Sequence, residues 1–101
     1  MSKFKTLEKK VIKWAEDKGI MDNPSAIAQS AKTLEECAEL NLAIVKDDRE
    51  SVTDSIGDLL VTVIIQAKIQ ELTLDECLEQ AYNEIAGRKG RMVNGVFVKE
   101  E

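Results

Sequence analysis

The chain has 101 residues, 44% hydrophobic and 33% charged, with one Pro and five Gly. That length and balance suit one small globular domain spanning 1–101 and exclude disorder, collagen-like repeats and low-complexity sequence. A formal net charge of −5 sets the surface against nucleic-acid polymers and anionic membranes, while a small anionic ligand stays accessible if a metal ion supplies positive charge.

The absence of histidine excludes a Ser-His-Asp triad, a Cys-His pair, a His-bearing zinc site and the Glu-x-x-His motifs of di-iron bundles. The two cysteines, Cys37 and Cys77, fall inside helical patterns and read as small core residues in a reducing compartment. The first ten residues lack the apolar stretch of a secretory leader. The most apolar segment, Ile56 to Ile69, contains Gly57, Asp58, Gln66 and Lys68 and is too short and polar to span a bilayer. A cytoplasmic location is the expectation.

The pattern predicts an all-α fold. A first helix runs from about Phe4 to Lys18, with Phe4, Leu7, Val11, Trp14 and Ala15 at helical spacing and Gly19 just past its end. Asn23-Pro24 reads as the cap and first residue of a second helix, which continues to about Lys46 with Ile27, Ala31, Leu34, Ala38, Leu42 and Val45 as its apolar set. Asp47 and Glu50 have capping-box spacing and open a third helix that carries Ile56, Leu59, Leu60, Val63, Ile64, Ala67 and Ile69. Its β-branched run Val61-Thr-Val-Ile-Ile65 would suit a strand in isolation, but the apolar pattern outruns strand length on both sides. A helix apolar on nearly all sides belongs at the centre of a core and in part at a subunit interface.

Thr73 and Glu76 form a second capping box, and a fourth helix follows to about Arg88 with Leu74, Cys77, Leu78, Ala81, Tyr82 and Ile85 on its apolar side. Asn94-Gly95 between two short apolar pairs is the sequence of a two-residue hairpin turn. The expected architecture is a four-helix, bundle-like domain with a short C-terminal β-hairpin or extended tail. Two short strands need a helix or a partner chain to pack on, and the assembly expected is a homodimer or homotetramer.

Acidic residues carry the chemistry. Glu39 lies three and four residues after Glu36 and Glu35, so all three share a helix face. Acids packed this way repel one another unless a cation sits among them, and Mg²⁺, which prefers carboxylate oxygens and keeps water and phosphate in its shell, suits the task. Asp54 and Asp58 are likewise four apart on the third helix. Gly57 beside them costs helix stability, which suggests close approach of another helix or a ligand. The alternative is a solvated acidic face with Lys32 as partner and ordinary first-turn acids at 54 and 58. The short connection from Val45 to Arg49 makes the two helices antiparallel neighbours, so the two clusters face each other.

These residues resemble a known family. Lys32-x-x-Glu35-Glu36-x-x-Glu39-Leu40 matches the first acidic motif of the MazG-like branch of the all-α nucleoside triphosphate pyrophosphohydrolases, in particular its short phage and Gram-positive type. Ile56-Gly57-Asp58-Leu59-Leu60 matches the core of the second motif, and Gln29 also fits. The likeness runs from about Trp14 to the C-terminus. One position departs: the second motif usually reads Glu-x-x-Asp, and here Ser55 stands at the Glu, with Asp54 one residue earlier.

The resemblance implies Mg²⁺-dependent cleavage of nucleoside triphosphates to monophosphate and pyrophosphate, with Mn²⁺ as an alternative ion. Glu36, Glu39 and Asp58 would hold the metal. Glu35 or Asp54 would be a further ligand or accept a proton from the attacking water. Lys32 is a candidate phosphate contact and equally a surface partner for Glu36. Arg88, Lys89 and Arg91 form a basic cluster that would meet phosphates across a subunit boundary, and equally reads as favourable charge at a helix C-terminus. Asn83 resembles the polar residue that relatives carry near the end of this helix and would touch sugar or base. Trp14 would stack on a base, although a lone Trp at a core position more often simply packs. The departure at Ser55 supports an alternative: a catalytically weakened helical module that binds nucleotide or a protein partner without turnover.

Overall fold

A computed structural model describes residues 2–100. Four helices precede a hairpin: α1 (Lys3–Asp17), α2 (Ala26–Val45), α3 (Arg49–Ile69), α4 (Leu74–Ile85), β1 (Gly90–Val93) and β2 (Val96–Lys99). The all-α class and the terminal hairpin agree with the sequence pattern.

Each helix start has a side-chain cap. Ser2 accepts from the Lys5 amide and Ser25 from the Ala28 amide at 3.1 Å, so α2 begins after Ser25 rather than at Asn23-Pro24. Asp48, not Asp47, caps α3 through the Ser51 amide. The Thr73–Glu76 capping box forms in full, with bonds of 3.2 and 2.7 Å. α4 ends at Ile85, three residues short of the expected Arg88.

Three helix ends share one device, in which a left-handed residue lets its own amide and the next one reach back to orphan carbonyls. Gly19, at φ 81°, does this for α1, with the Ile20 amide bonded to the Ala15 carbonyl. Asp47 (φ 55°) and Glu71 (φ 60°) do it for α2 and α3, where no glycine announces the turn. Asn94 and Gly95, both at positive φ, make the expected hairpin turn, and the register pairs Val93 with Val96 and Gly90 with Lys99. A Cβ at Gly90 would lie 2.3 Å from the Val98 carbonyl, so only glycine sits there without displacing backbone.

Packing is dominated by α2 against α3, with α1 laid on α3. The inner stripe of α2 is Gln29, Thr33, Glu36, Leu40 and Ala43, which are the less exposed positions at alternating four- and three-residue steps. It meets Ser55, Leu59, Thr62 and Gln66 of α3. Two glutamines fix the register: Gln29 Nε2 donates to the Thr62 carbonyl at 3.1 Å, and Gln66 Nε2 to the Ala26 carbonyl at 2.9 Å. Among the described residues the buried apolar side chains are few, namely Ala15, Ala43, Ile64 and Ile65.

This overturns several expectations about the core. The apolar set expected to be inward on α2 points outward, with Ile27 80% exposed and Leu34 70% exposed. On α1 the buried positions are Glu8 and Ala15, and Phe4, Leu7 and Trp14 are turned off that stripe and exposed. Cys37 and Cys77 are free and exposed rather than core. A Cβ at Gly57 would touch nothing among the described residues, so the glycine is not explained by close packing of another helix there. Among the described residues there are four helices, of which three pack closely, and α4 with the hairpin buries none of its own residues.

Candidate functional site

The antiparallel pair α2–α3 positions the acids. The two glutamine bonds set residue 29 level with 62 and residue 26 level with 66, which brings Glu36 level with Ser55. At the helical rise, Glu35, Glu36, Glu39, Asp54 and Asp58 then fall within about 9 Å along the common axis. Glu39 and Asp54 line one polar cleft of about 240 Å³ together with Lys46, Asp48, Ser51 and Ser55. Four-residue spacing carries Glu35 onto the flank of Glu39, and Asp58 onto the flank of Asp54.

The acids differ in surroundings. Glu35, Glu39, Asp54 and Asp58 are exposed, whereas Glu36 sits in the seam with its side chain 15% exposed. Ser55 is buried in the same seam. Ser55 thus faces α2, and the carboxylate available to the cleft from this turn of α3 is the neighbouring Asp54. Lys32 lies 3.4 Å from Glu35 and 3.6 Å from Glu36. The charge of Glu35 first, then its hydrogen bond and the charge of Glu36, holds the Lys32 ammonium above its ordinary pKa.

Among the described residues, no three acidic or sulfur-bearing side chains converge closely enough to cage a metal ion. Lys32 draws Glu35 and Glu36 to one side; of the three carboxylates lining the cleft, Asp48 accepts from the Ser51 amide and hydroxyl as a helix cap, and Glu39 and Asp54 make no such bond.

The remaining candidates lie elsewhere. Trp14 is on α1 and half exposed. Asn83 is on α4, Arg88 and Lys89 follow it, and Arg91 is on β1 beside a separate pocket formed with Val98 and Lys99. None of these lines the α2–α3 cleft. Lys46, Asp48 and Ser51 line it without having been singled out from the sequence. Their only signal was helix-end chemistry: a lysine in a last turn and an acid three residues before a serine.

A family model described as the MazG nucleotide pyrophosphohydrolase domain matches residues 25–93. The chain belongs to the MazG family. The matched segment contains α2, α3, α4 and β1, hence all five acids and every basic candidate, and leaves α1 with Trp14 outside. The MazG chain is also 32% identical over 80 residues to an uncharacterized 18.2 kDa protein of Haemophilus phage HP1, a match covering 79% of this chain and 48% of that protein. The chain therefore spans about half the length of that relative. No solved structure matches.

Membership of the MazG family implies a divalent cation, and the cleft can be tested for it. Its donors are carboxylate and hydroxyl oxygens with no competing sulfur or imidazole, which is the chemistry a hard cation prefers. Mg²⁺ is commonly held through one or two carboxylates, with water and substrate phosphate completing the shell. Glu39 and Asp54 fit that mode, and a four-carboxylate cage does not form in this arrangement.

Proposed function

We propose that this MazG domain hydrolyses nucleoside triphosphates to monophosphate and pyrophosphate at the α2–α3 cleft, with Mg²⁺ as the ion, in the cytoplasm. The observation that carries the reading is that Glu39 and Asp54, from two different helices, line one cleft inside the family-matched segment. A cation bound there would offset the triphosphate charge and favour charge build-up on the phosphate oxygens.

The chain's own residues divide the remaining work. Glu39 and Asp54 would hold the ion directly, with Glu36 and Asp58, on the same stretch of the helix pair, contacting it through its bound water. Glu35, exposed on the flank of Glu39, would accept a proton from the attacking water. Lys32 would exchange its carboxylate partners for a substrate phosphate. Asn83, Arg88, Lys89 and Arg91 would bind nucleotide from a neighbouring chain of a homodimer or homotetramer, and Trp14 would offer a ring for base stacking.

The decisive experiment is pyrophosphate release from a panel of nucleoside triphosphates with and without Mg²⁺. Glu39→Gln and Asp54→Asn should each lower turnover by about 10²-fold or more while leaving the far-UV circular dichroism unchanged, because both side chains are exposed. Full turnover in both variants would remove the cleft from the reaction.

The buried Ser55 supports a second reading, in which the domain binds nucleotide or a protein partner with weakened or absent turnover. Mg²⁺-dependent nucleotide binding without product would select it.

A further inference from the structure

The α2–α3 cleft has a direction. Among the described residues Lys46 is the one cation that lines it, and it lies at the turn end, where α2 stops. Lys46 follows Glu39 by seven residues, close to two helical turns, so both project from one face of α2 about 10 Å apart along the axis. Its backbone is still helical, at φ −79° and ψ −8°, and helix side chains lean toward the N-terminus. The flexible four-carbon stem of Lys46 is thereby directed back over Leu42 and Ala43, toward Glu39 and Asp54.

Lys32 is held by Glu35 and Glu36, whereas Lys46 enters no ion pair among the described residues. Its acidic neighbour Asp48 turns one carboxylate oxygen to the Ser51 amide and the other to the Ser51 hydroxyl. The cleft therefore carries one uncommitted positive charge, and an ammonium binds phosphate as a point charge.

Along α2 the order is Lys32, Glu35, Glu39, Lys46. Glu35 and Lys46 thus stand on opposite sides of the Glu39–Asp54 pair. In a displacement at phosphorus the attacking and leaving oxygens lie roughly in line. If Glu35 takes a proton from the attacking water, the leaving group departs away from Glu35, which is toward Lys46.

We propose that Lys46 holds the pyrophosphate leaving group, meeting the β- and γ-phosphate oxygens of a nucleoside triphosphate. The assignment rests on the hydrolase reading above and adds to it the orientation of the substrate in the cleft. The water oxygen bonds to the α-phosphorus and gives a proton to Glu35. The bond from the α-phosphorus to the α,β-bridging oxygen breaks, and its electron pair leaves with pyrophosphate. The Lys46 ammonium offsets the charge that collects on the departing group. Lys32, on the Glu35 side, is left with the α-phosphate.

The test is calorimetric titration of the full chain, in Mg²⁺, with inorganic pyrophosphate and separately with a nucleoside monophosphate. The proteins compared are the wild type, Lys46→Met, Lys46→Arg and Lys9→Met; Lys9 is exposed on α1 and controls for the loss of one positive charge. Lys46→Met should weaken pyrophosphate binding about tenfold or more, the loss of one charge-assisted hydrogen bond, and leave the monophosphate within about twofold. Lys46→Arg should recover pyrophosphate to within a few-fold, because the site asks for a charge and not for a lysine. Unchanged pyrophosphate binding in Lys46→Met, an equal loss for both ligands, an equal loss in Lys9→Met, or a wild type that binds no pyrophosphate would each overturn the assignment. None of these measurements needs turnover. A chain that binds pyrophosphate through Lys46 yet releases none from triphosphates would overturn the hydrolase reading and keep Lys46 as the pyrophosphate ligand.

Discussion

At the scale of single residues, Lys32 is where two roles compete. Its ammonium bridges Glu35 and Glu36, so it screens the same carboxylates that a cation would use. Lys32→Met should therefore tighten Mg²⁺ binding in the absence of nucleotide a few-fold, since a like charge leaves the neighbourhood. The same change should raise KM for the triphosphate about tenfold, equivalent to ~1.4 kcal/mol of lost phosphate contact. Titration calorimetry with the metal alone and steady-state kinetics separate the two effects, and a variant that moved neither would leave Lys32 as a surface ion pair. The acids themselves were legible from spacing, because i,i+4 geometry holds on any helix. Which of them enter the seam was not. Glu36 and Ser55 face the partner helix, while Glu39 and Asp54 flank it, and that distinction depends on how α2 is rolled about its own axis.

At the scale of elements, the end of each helix is set by local chemistry of uneven visibility. Thr73 with Glu76 and Asn94 with Gly95 act through their own side chains or backbone freedom, so the sequence announces them. Asp47 and Glu71 adopt the left-handed conformation without being glycine, and nothing in their identity signals it. The resulting one-residue shift puts Asp48 at the cap of α3, where its carboxylate accepts from the Ser51 hydroxyl at 2.9 Å and from the Ser51 amide. The hydroxyl bond, then the amide bond, holds the Asp48 carboxyl below its ordinary pKa of 3.8. A depressed folded pKa contributes stability that is fully present above the unfolded value and is lost as pH falls through the folded one. Asp48→Asn should thus be less stable than the wild type at neutral pH, and the gap should close on acidification below the ordinary carboxylate range. Thermal melts of both proteins across that range check the convergence, and parallel curves would contradict it.

At the scale of the whole molecule, the largest difference between sequence and structure is the direction of the α2 stripe. Ile27, Leu34 and Val45 have the spacing of a core face yet point away from α3, because periodicity reports that a face is apolar and not which chain covers it. The same ambiguity explains why Phe4, Leu7 and Trp14 read as core and lie exposed. The all-α class, the antiparallel acid-bearing pair and the hairpin depended on short-range signals and were legible. The share of apolar surface left exposed was not. Association into the proposed homodimer or homotetramer would add stability by mass action. The midpoint of thermal unfolding should therefore rise with protein concentration, by several degrees over two decades, about the shift expected for a few kcal/mol in a domain of this size. Differential scanning calorimetry at several loadings measures it, and a midpoint independent of loading would mean that the chain is stable as a single copy.

The Gln29 and Gln66 bonds close the α2–α3 pair opposite the turn at Lys46–Asp48, so the two helices are fastened at both ends like a buckled strap. Each amide grips a main-chain carbonyl, Thr62 or Ala26, and so does not depend on the side chain that residue carries. Neighbouring positions can exchange side chains freely, the turn is relieved of keeping the two halves aligned, and the spacing of the acids between the fastenings is inherited from the backbone itself.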